Sequence, residues 1–251
     1  MSQKESDLCI FIPTYNEIKN IEEIHRRIRA EFPLIDILFI DDGSPDGTGA
    51  KLDEIAKADG RITVLHREGK KGIGSAHKAA FKWAYENSVE LLLTMDSDLT
   101  HKPEEIVKFL GTMEKHDVTV GSRFLSDQGI AEWPLGRRVI TNTGHFLTRH
   151  LLGTNVDSTG AFRLYNLKKI QPKIFGCIDS DDYAFFYESI KILQVAGVNV
   201  GEVPVTLSAR FRGHSKMKPK DMVRGFTYLI SFAVRVRLPK SKINQQIKNV
   251  L

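Results

Sequence analysis

A chain of 251 residues with 41% hydrophobic and 27% charged side chains can bury a large core and sits close to average globular usage, which excludes disorder and a polytopic membrane protein. The formal charge of +5 is uneven: residues 201–251 hold 11 Lys and Arg against Glu202 and Asp221, a balance of +9, so the basic character belongs to the tail. Tail charge alone is thin support for nucleic-acid binding, and no nucleic-acid partner is expected.

The opening MSQKESD runs into LCIFIP without the basic and apolar regions of an export signal, so the protein is expected to remain cytoplasmic. Apolar runs and amphipathic segments then alternate. Leu8–Ile12, Ile35–Ile40, Thr63–His66, Leu91–Asp96 and Val118–Ser122 read as strands; Ile18–Phe32, Thr48–Ala58, Ile73–Glu86 and Pro103–Glu114 read as helices between them. CIFI, ILFI and LLLTM are apolar on both faces, as helix-covered parallel strands must be. The expected fold is therefore α/β, a single domain with a mainly parallel central sheet flanked by helices. Cys9 and Cys177 lack CxxC spacing and are expected to be core residues.

Beyond residue 125 the alternation breaks. A loop at Gly129–Gly136, a helix Val139–Leu152, a strand Gly160–Tyr165, a helix Tyr183–Ala196 and a strand Val198–Val205 are expected, then a basic loop Arg210–Lys220. The chain divides into a domain over 1–220, with a nucleotide-binding half at 8–124 and an acceptor half at 125–220, and a basic amphipathic C-terminal helix and tail at 221–251. Met222–Leu238 is apolar except for Arg224, Arg235 and Arg237; it fits either an interfacial helix or a core helix, but is too short and too charged to span a bilayer.

In open α/β sheets ligands lie beyond the carboxyl ends of the strands. PTYNE, DDGSPDGT, DSDLTH and GSR all follow strand ends, so four segments are expected on one rim. Asp96 and Asp98 form a DxD at such an end, an oxygen-ligand pair suited to magnesium or manganese shared with a diphosphate. One of Asp41 and Asp42 could contact a base or ribose, while Asp46 or Thr48 could cap the next helix. Tyr15 offers a stacking ring and Glu17 a carboxylate; Asn16 could cap the helix behind it. Lys70, Lys71, Gly72 and Gly74 form a basic turn without Walker spacing. Arg210, Arg212, Lys216 and Lys218 could grip a phosphate or remain a solvated loop. His101, His145 and His214 have no metal-ligand spacing.

IPTYNE, DDGSPDGT, DSDLTH, GSRF, STGAFR, GEVPV and RFRGHSK occur in the order seen in glycosyltransferase family 2, and across residues 8–220 the chain resembles its dolichol-phosphate mannosyltransferase-like members. The resemblance implies an A-type glycosyltransferase fold with a C-terminal helical tail. It further implies inverting transfer of a hexose, foremost mannose from GDP-mannose, to dolichyl or undecaprenyl phosphate at the cytosolic membrane face, with Mg or Mn as cofactor. It leaves room for a separate membrane-anchoring subunit. Carried over by position, Pro13, Tyr15, Glu17, Ile40 and Asp42 would line the nucleotide pocket. Asp96, Ser97 and Asp98 would bracket metal and diphosphate, and Arg123, Arg137, Arg210 and Lys216 would meet phosphates or sugar. Thr100 stands where this family often has a longer Gln.

A lipid phosphate is already ionised at neutral pH and needs little general-base help, which fits a site with no evident base. Two other readings stay open. One is a UDP-sugar transferase acting on a sugar hydroxyl, with its base among Asp179, Asp181, Asp182 and Glu188; the other is a non-catalytic nucleotide-sugar binding or membrane-docking module.

Overall fold

The computed structural model describes residues 7–208, 219–239 and 241–250. Seven strands, β1 (Leu8–Thr14), β2 (Asp36–Asp41), β3 (Ile62–His66), β4 (Leu91–Thr94), β5 (Val118–Ser122), β6 (Arg163–Asn166) and β7 (Val200–Pro204), form one sheet in the order β3-β2-β1-β4-β6-β5-β7. β6 runs antiparallel to both its neighbours and every other pairing is parallel. β1 is flanked by β2 and β4, so the chain turns to opposite sides of β1, a topological switch point at which a crevice opens above the strand ends.

Alternation along the strands separates two cores. Leu8, Ile10 and Ile12 of β1 with Ile37 and Phe39 of β2 face one side; Cys9 and Phe11 with Leu38 and Ile40 face the other. The first side is covered by α1 (Ile18–Glu31), α2 (Thr48–Ala58) and the short α4 (Ile106–Leu110). In α1 the buried Ile21, Ile24 and Ile28 recur at helical spacing beneath a charged outer face, and Pro33 disfavours helical geometry at Phe32, where the helix stops. Truncating any of these three to Ala would cost about 2–5 kcal/mol.

The second side carries α3 (Ile73–Glu86), α6 (Phe185–Val195), α7 (Pro219–Arg237), α8 (Lys242–Val250) and the end of α5 (Leu135–Leu152). α3 lays Ala76, Ala80 and Ala84 on the sheet and stacks Phe81 on Phe175 at 3.8 Å. Cys9 and Cys177 are free and buried.

The structure departs from the sequence reading at four places. The strand expected at Gly160–Tyr165 is β6, which begins only at Arg163, ends at Asn166 and is antiparallel, a choice its apolar pattern does not encode. Its Arg163 is fully buried and every donor is used, by the carbonyls of Gly160, Ser158 and Phe186 and by Tyr165 and Ser189 hydroxyls. The helix expected over 103–114 is a 3-10 turn at Pro103–Glu105 followed by α4, ending where the Thr112 hydroxyl bonds the Phe109 carbonyl and Thr119. α5 begins four residues early, at Leu135, and α8 was not anticipated.

α7 packs into the core along one face, as the core-helix reading expects. Leu229, Phe232, Ala233 and Val236 are buried, while Met222, Val223, Phe226, Ile230 and Val234 are exposed on other faces. α5, which packs beside it, likewise exposes Leu135, Val139, Ile140 and Phe146. Among the described residues no helix is long and apolar enough to cross a membrane.

Candidate active site

The exits of β1 and β2 are built as one unit. Thr14 pairs with Asp41 in register and its hydroxyl reaches the Asp41 carboxylate at 3.0 Å. Asp41 also accepts the amide and hydroxyl of Ser44, at 3.0 and 2.5 Å. The first amides of the β1–α1 connection bond not to Asn16 but to the neighbouring loop: Asn16 N to Ser44 Oγ, Glu17 N to Thr48 Oγ1, Ile18 N to Asp46 Oδ2. Asn16 therefore does not cap α1, whose N-cap residue Glu17 makes no side-chain capping bond. Asp46 serves both helices, since its other oxygen accepts the Thr48 amide. Glu17 is buried and accepts from Asn20 at 2.6 Å.

Neither aspartate of the DDG motif stands apart from protein partners. Asp42 is held by the Arg67 guanidinium, with Nε at 2.5 Å, and by the Lys71 amide at 3.2 Å. Because an ionised carboxylate has about four acceptor sites, Asp42 can still receive a ligand donor. Arg67 continues to Ser75 Oγ at 2.7 Å, and Lys70 lies over the Tyr15 ring at 4.9 Å. The basic turn thus folds onto the β1 and β2 exits, beside Pro13, Tyr15 and buried Ile40. Gly43 makes this possible: it takes φ +66°, and a Cβ there would meet Arg67 O and Gly69 Cα at 3.0 Å.

At the exit of β4 the chain makes a tight turn through Asp96, Ser97, Asp98, Leu99 and Thr100. Leu99 has φ +63°, a strained value for a non-glycine residue. Two bonds hold the turn: Asp98 Oδ1 accepts Thr100 N at 2.9 Å, and the Asp96 amide donates to His101 Nδ1 at 2.9 Å. His101 is buried and stacked on Phe162 at 4.8 Å. Burial pushes its pKa down to about 4, so the ring is neutral, with Nδ1 as acceptor and the proton on Nε2. His101 is consequently a support for Asp96.

Ser97, Asp98 and Thr100 are buried, while Asp96 is partly exposed. The Thr100 hydroxyl is buried with no partner among the described residues, the kind of orphan a bound diphosphate or water would satisfy. Among those residues no cluster of three ligating side chains occurs. One or two Asp oxygens fit a hard divalent cation that draws its other ligands from diphosphate and water, and do not fit a closed protein cage.

Arg123, at the end of β5, is pinned by the fully buried Asp157: Nε at 2.7 Å and Nη2 at 3.1 Å, with Nη2 also on Thr159 Oγ1. Burial alone would raise the Asp157 carboxyl, but Arg123 and Thr159 outweigh it and hold it below its ordinary value. Glu202 accepts the Asp157 amide at 2.6 Å, completing a rigid base under Arg123. Arg137 is exposed and stacks over buried Trp133 at 3.4 Å. Arg210, Arg212, Lys216 and Lys218 lie outside the described residues. The chain leads toward them at Ser208, whose amide bonds Thr100 O and whose carbonyl accepts from Trp133 Nε1.

The structure therefore gathers the β1, β2, β4 and β5 exits on one rim. Sequence reasoning missed three members: Arg67, Asp157 and the positioning role of His101. Arg67 was findable, because it follows β3 at the same rim. The candidate base carboxylates are all engaged: Asp179 with Arg235, Asp181 with Lys78, Asp182 with Arg224. Glu188 is fully buried, and although burial raises its carboxyl, it is filled by the amides of Asp179 and Ser180 and the Tyr228 hydroxyl.

This sheet, with its acidic turn at the switch point, has the A-type glycosyltransferase fold. Solved structures sharing it include glucosyl-3-phosphoglycerate synthase from Mycobacterium tuberculosis in complex with Mn2+, UDP and phosphoglyceric acid, at 18% identity and TM-score 0.64, covering 95% of this chain and 83% of that one. Another is S. aureus TarS in complex with UDP-GlcNAc, at 16% identity and TM-score 0.54, covering 94% and 74%.

The chain belongs to glycosyl transferase family 2, whose pattern matches residues 9–171. It is 35% identical over 236 residues to a polyprenol monophosphomannose synthase of Mycolicibacterium smegmatis, covering 93% of this chain and 89% of the relative. It is 36% identical over 207 residues to an undecaprenyl-phosphate mannosyltransferase of Micrococcus luteus, covering 82% and 85%.

Proposed function

We propose that the protein transfers mannose from GDP-mannose to a polyprenyl phosphate with inversion, working at the cytosolic surface of a membrane. The observation that carries the reading is the near full-length likeness to two enzymes whose names give mannosyl transfer to a polyprenyl phosphate, and the site's chemistry agrees with it. An acceptor phosphate oxygen attacks C1 of the sugar from the face opposite the diphosphate; the new C–O bond forms as the bond from C1 to the diphosphate oxygen breaks. The nucleophile arrives ionised, so no base is required, in keeping with the engaged state of Glu188 and its neighbours. Catalysis then rests on alignment and charge neutralisation.

Tyr15, Asp42 and the Lys70–Lys71 turn hold the nucleotide, and Arg123, with Arg137, Arg210 and Lys216, meets sugar and phosphates. Asp96 and Asp98, with Ser97 and Thr100 beside them, would hold a Mg or Mn ion, which when bound offsets charge on the departing diphosphate. The exposed apolar faces of α5 and α7, flanked by Arg137, Arg138, Lys220 and Arg224, suit an anionic lipid surface.

The test is a panel of labelled GDP-mannose, UDP-glucose and UDP-N-acetylglucosamine against dolichyl and undecaprenyl phosphate, with Mn2+, Mg2+ or a chelator. Label should reach the lipid phase from GDP-mannose with metal present, and Asp96→Asn should reduce it by about 10²-fold or more. Lipid labelling from a UDP-sugar instead, or none from any donor, defeats the proposal.

A further inference from the structure

Glu188 stands in the first turn of α6, and its bonds lead to the rim. Oε2 accepts the Ser180 amide at 2.8 Å, and Oε1 accepts the Asp179 amide at 3.1 Å and the Tyr228 hydroxyl of α7 at 2.8 Å. Three donors, two of them backbone, fix the segment 179–182 to α6 and α7. Arg224–Asp182 and Arg235–Asp179 pairs add outer ties to α7, and the Tyr187 hydroxyl donates to Gly225 O at 2.8 Å.

The other side of the segment supports α3. The Asp181 carbonyl accepts Gly74 N at 2.8 Å and Ser75 N at 3.2 Å, amides that the helix itself leaves unsatisfied at its start. The fit has no slack. A Cβ at Gly72 would stand 2.3 Å from Asp181 O, and one at Gly74 would stand 2.6 Å from Phe185 Cβ. The same turn of α3 presents Ser75 to Arg67, whose guanidinium holds Asp42, while the Lys71 amide takes the second Asp42 oxygen. A shift of segment 179–182 therefore displaces both groups that set the Asp42 carboxylate.

We propose that Glu188 and Tyr228 are positioning residues of the donor site, which through segment 179–182 set the start of α3 and so the geometry of Arg67, Lys71 and Asp42. This rests on the nucleotide-sugar reading above. It makes nucleotide affinity depend on α7, a helix whose other faces are exposed and apolar, and thereby gives the surface that meets the membrane a bonded route to the donor pocket.

The experiment titrates GDP with Mn2+ into the full chain by calorimetry, for wild type, Tyr228→Phe, Glu188→Gln and Tyr85→Phe. Tyr85 is the internal control: its hydroxyl bonds Ile170 O at 2.7 Å near the far end of the same α3 helix, so its loss removes a comparable bond without touching segment 179–182. Tyr228→Phe and Glu188→Gln should weaken GDP about three- to tenfold, with Tyr85→Phe within about 1.5-fold of wild type at a similar loss of melting temperature. If Glu188→Gln does not fold, Tyr228→Phe carries the test alone. Wild-type affinity in Tyr228→Phe, or equal weakening in Tyr85→Phe, overturns the proposal. A wild-type protein that does not bind GDP overturns the donor reading itself.

Discussion

Replacing Arg123 with Ala would leave the carboxylate of Asp157 buried without its cation. Asp157 is fully buried and Arg123 nearly so, with the guanidinium Nε at 2.7 Å. Removing one partner of such a pair costs about 3–5 kcal/mol, and the bonds from the Thr159 amide and hydroxyl that remain on Asp157 Oδ1 favour the lower end. For a chain of this size that is a fall in melting temperature of about 6–12 °C.

The pH dependence distinguishes this cause from loss of packing. In the wild type the folded Asp157 carboxyl lies below its ordinary value. It contributes stability above the unfolded pKa of about 3.9, and that stability is lost as pH falls through the folded pKa. In Arg123→Ala burial acts unopposed and the folded carboxyl rises, so this group destabilises the fold as pH climbs past about 4. The stability difference between the two proteins should therefore be largest near neutrality and shrink toward pH 4. Burial first, and Arg123 after it, hold His101 and His145 down, so removing Arg123 also eases their protonation as pH falls, which adds to the same shrinkage toward pH 4. Urea unfolding from pH 4 to pH 7.5 measures it. A difference below about 1 kcal/mol at pH 7, or one that does not change with pH, would refute the electrostatic account of this pair.

Three further outcomes follow from other contacts. His101→Phe keeps a ring on Phe162 but removes the acceptor of the Asp96 amide; metal-dependent turnover should drop about 10- to 100-fold, and unchanged metal titration curves would show that Asp96 is held by something else. Gly74→Ala drives a methyl to within 2.6 Å of Phe185 Cβ and 2.8 Å of Ser180 O, which should cost about 1–3 kcal/mol by thermal melting; a neutral result would mean that α3 can slide. Replacing exposed Val139, Val223 and Phe226 by Gln should reduce co-sedimentation with anionic vesicles by on the order of tenfold or more while leaving GDP affinity intact, and equal sedimentation would place the lipid contact elsewhere.

Much of the site was readable because strand-end chemistry is local. PTYNE, DDG, DSDLT and GSR sit where apolar runs stop, so their convergence followed once the sheet was taken as parallel. Arg67 and Asp157 were missed because the contact that brings each to the site is made with a residue 25 or 34 positions away in sequence. His101 was dismissed as a ligand for want of spacing. Its role is to accept an amide bond five residues back, which no spacing rule for metals detects.

The sequence by itself determined the α/β alternation, the two apolar faces of each strand and the rim on which the polar motifs fall, since these depend on period and on neighbours in the chain. Tertiary structure alone decided that β6 enters antiparallel around Arg163 and that α7 is core on one face and exposed on another. It alone decided, too, that Glu188, which has the composition of a catalytic base, is closed off by Tyr228 and two amides. Those outcomes turn on which distant surface covers a residue, and burial by a distant partner leaves no period in the sequence.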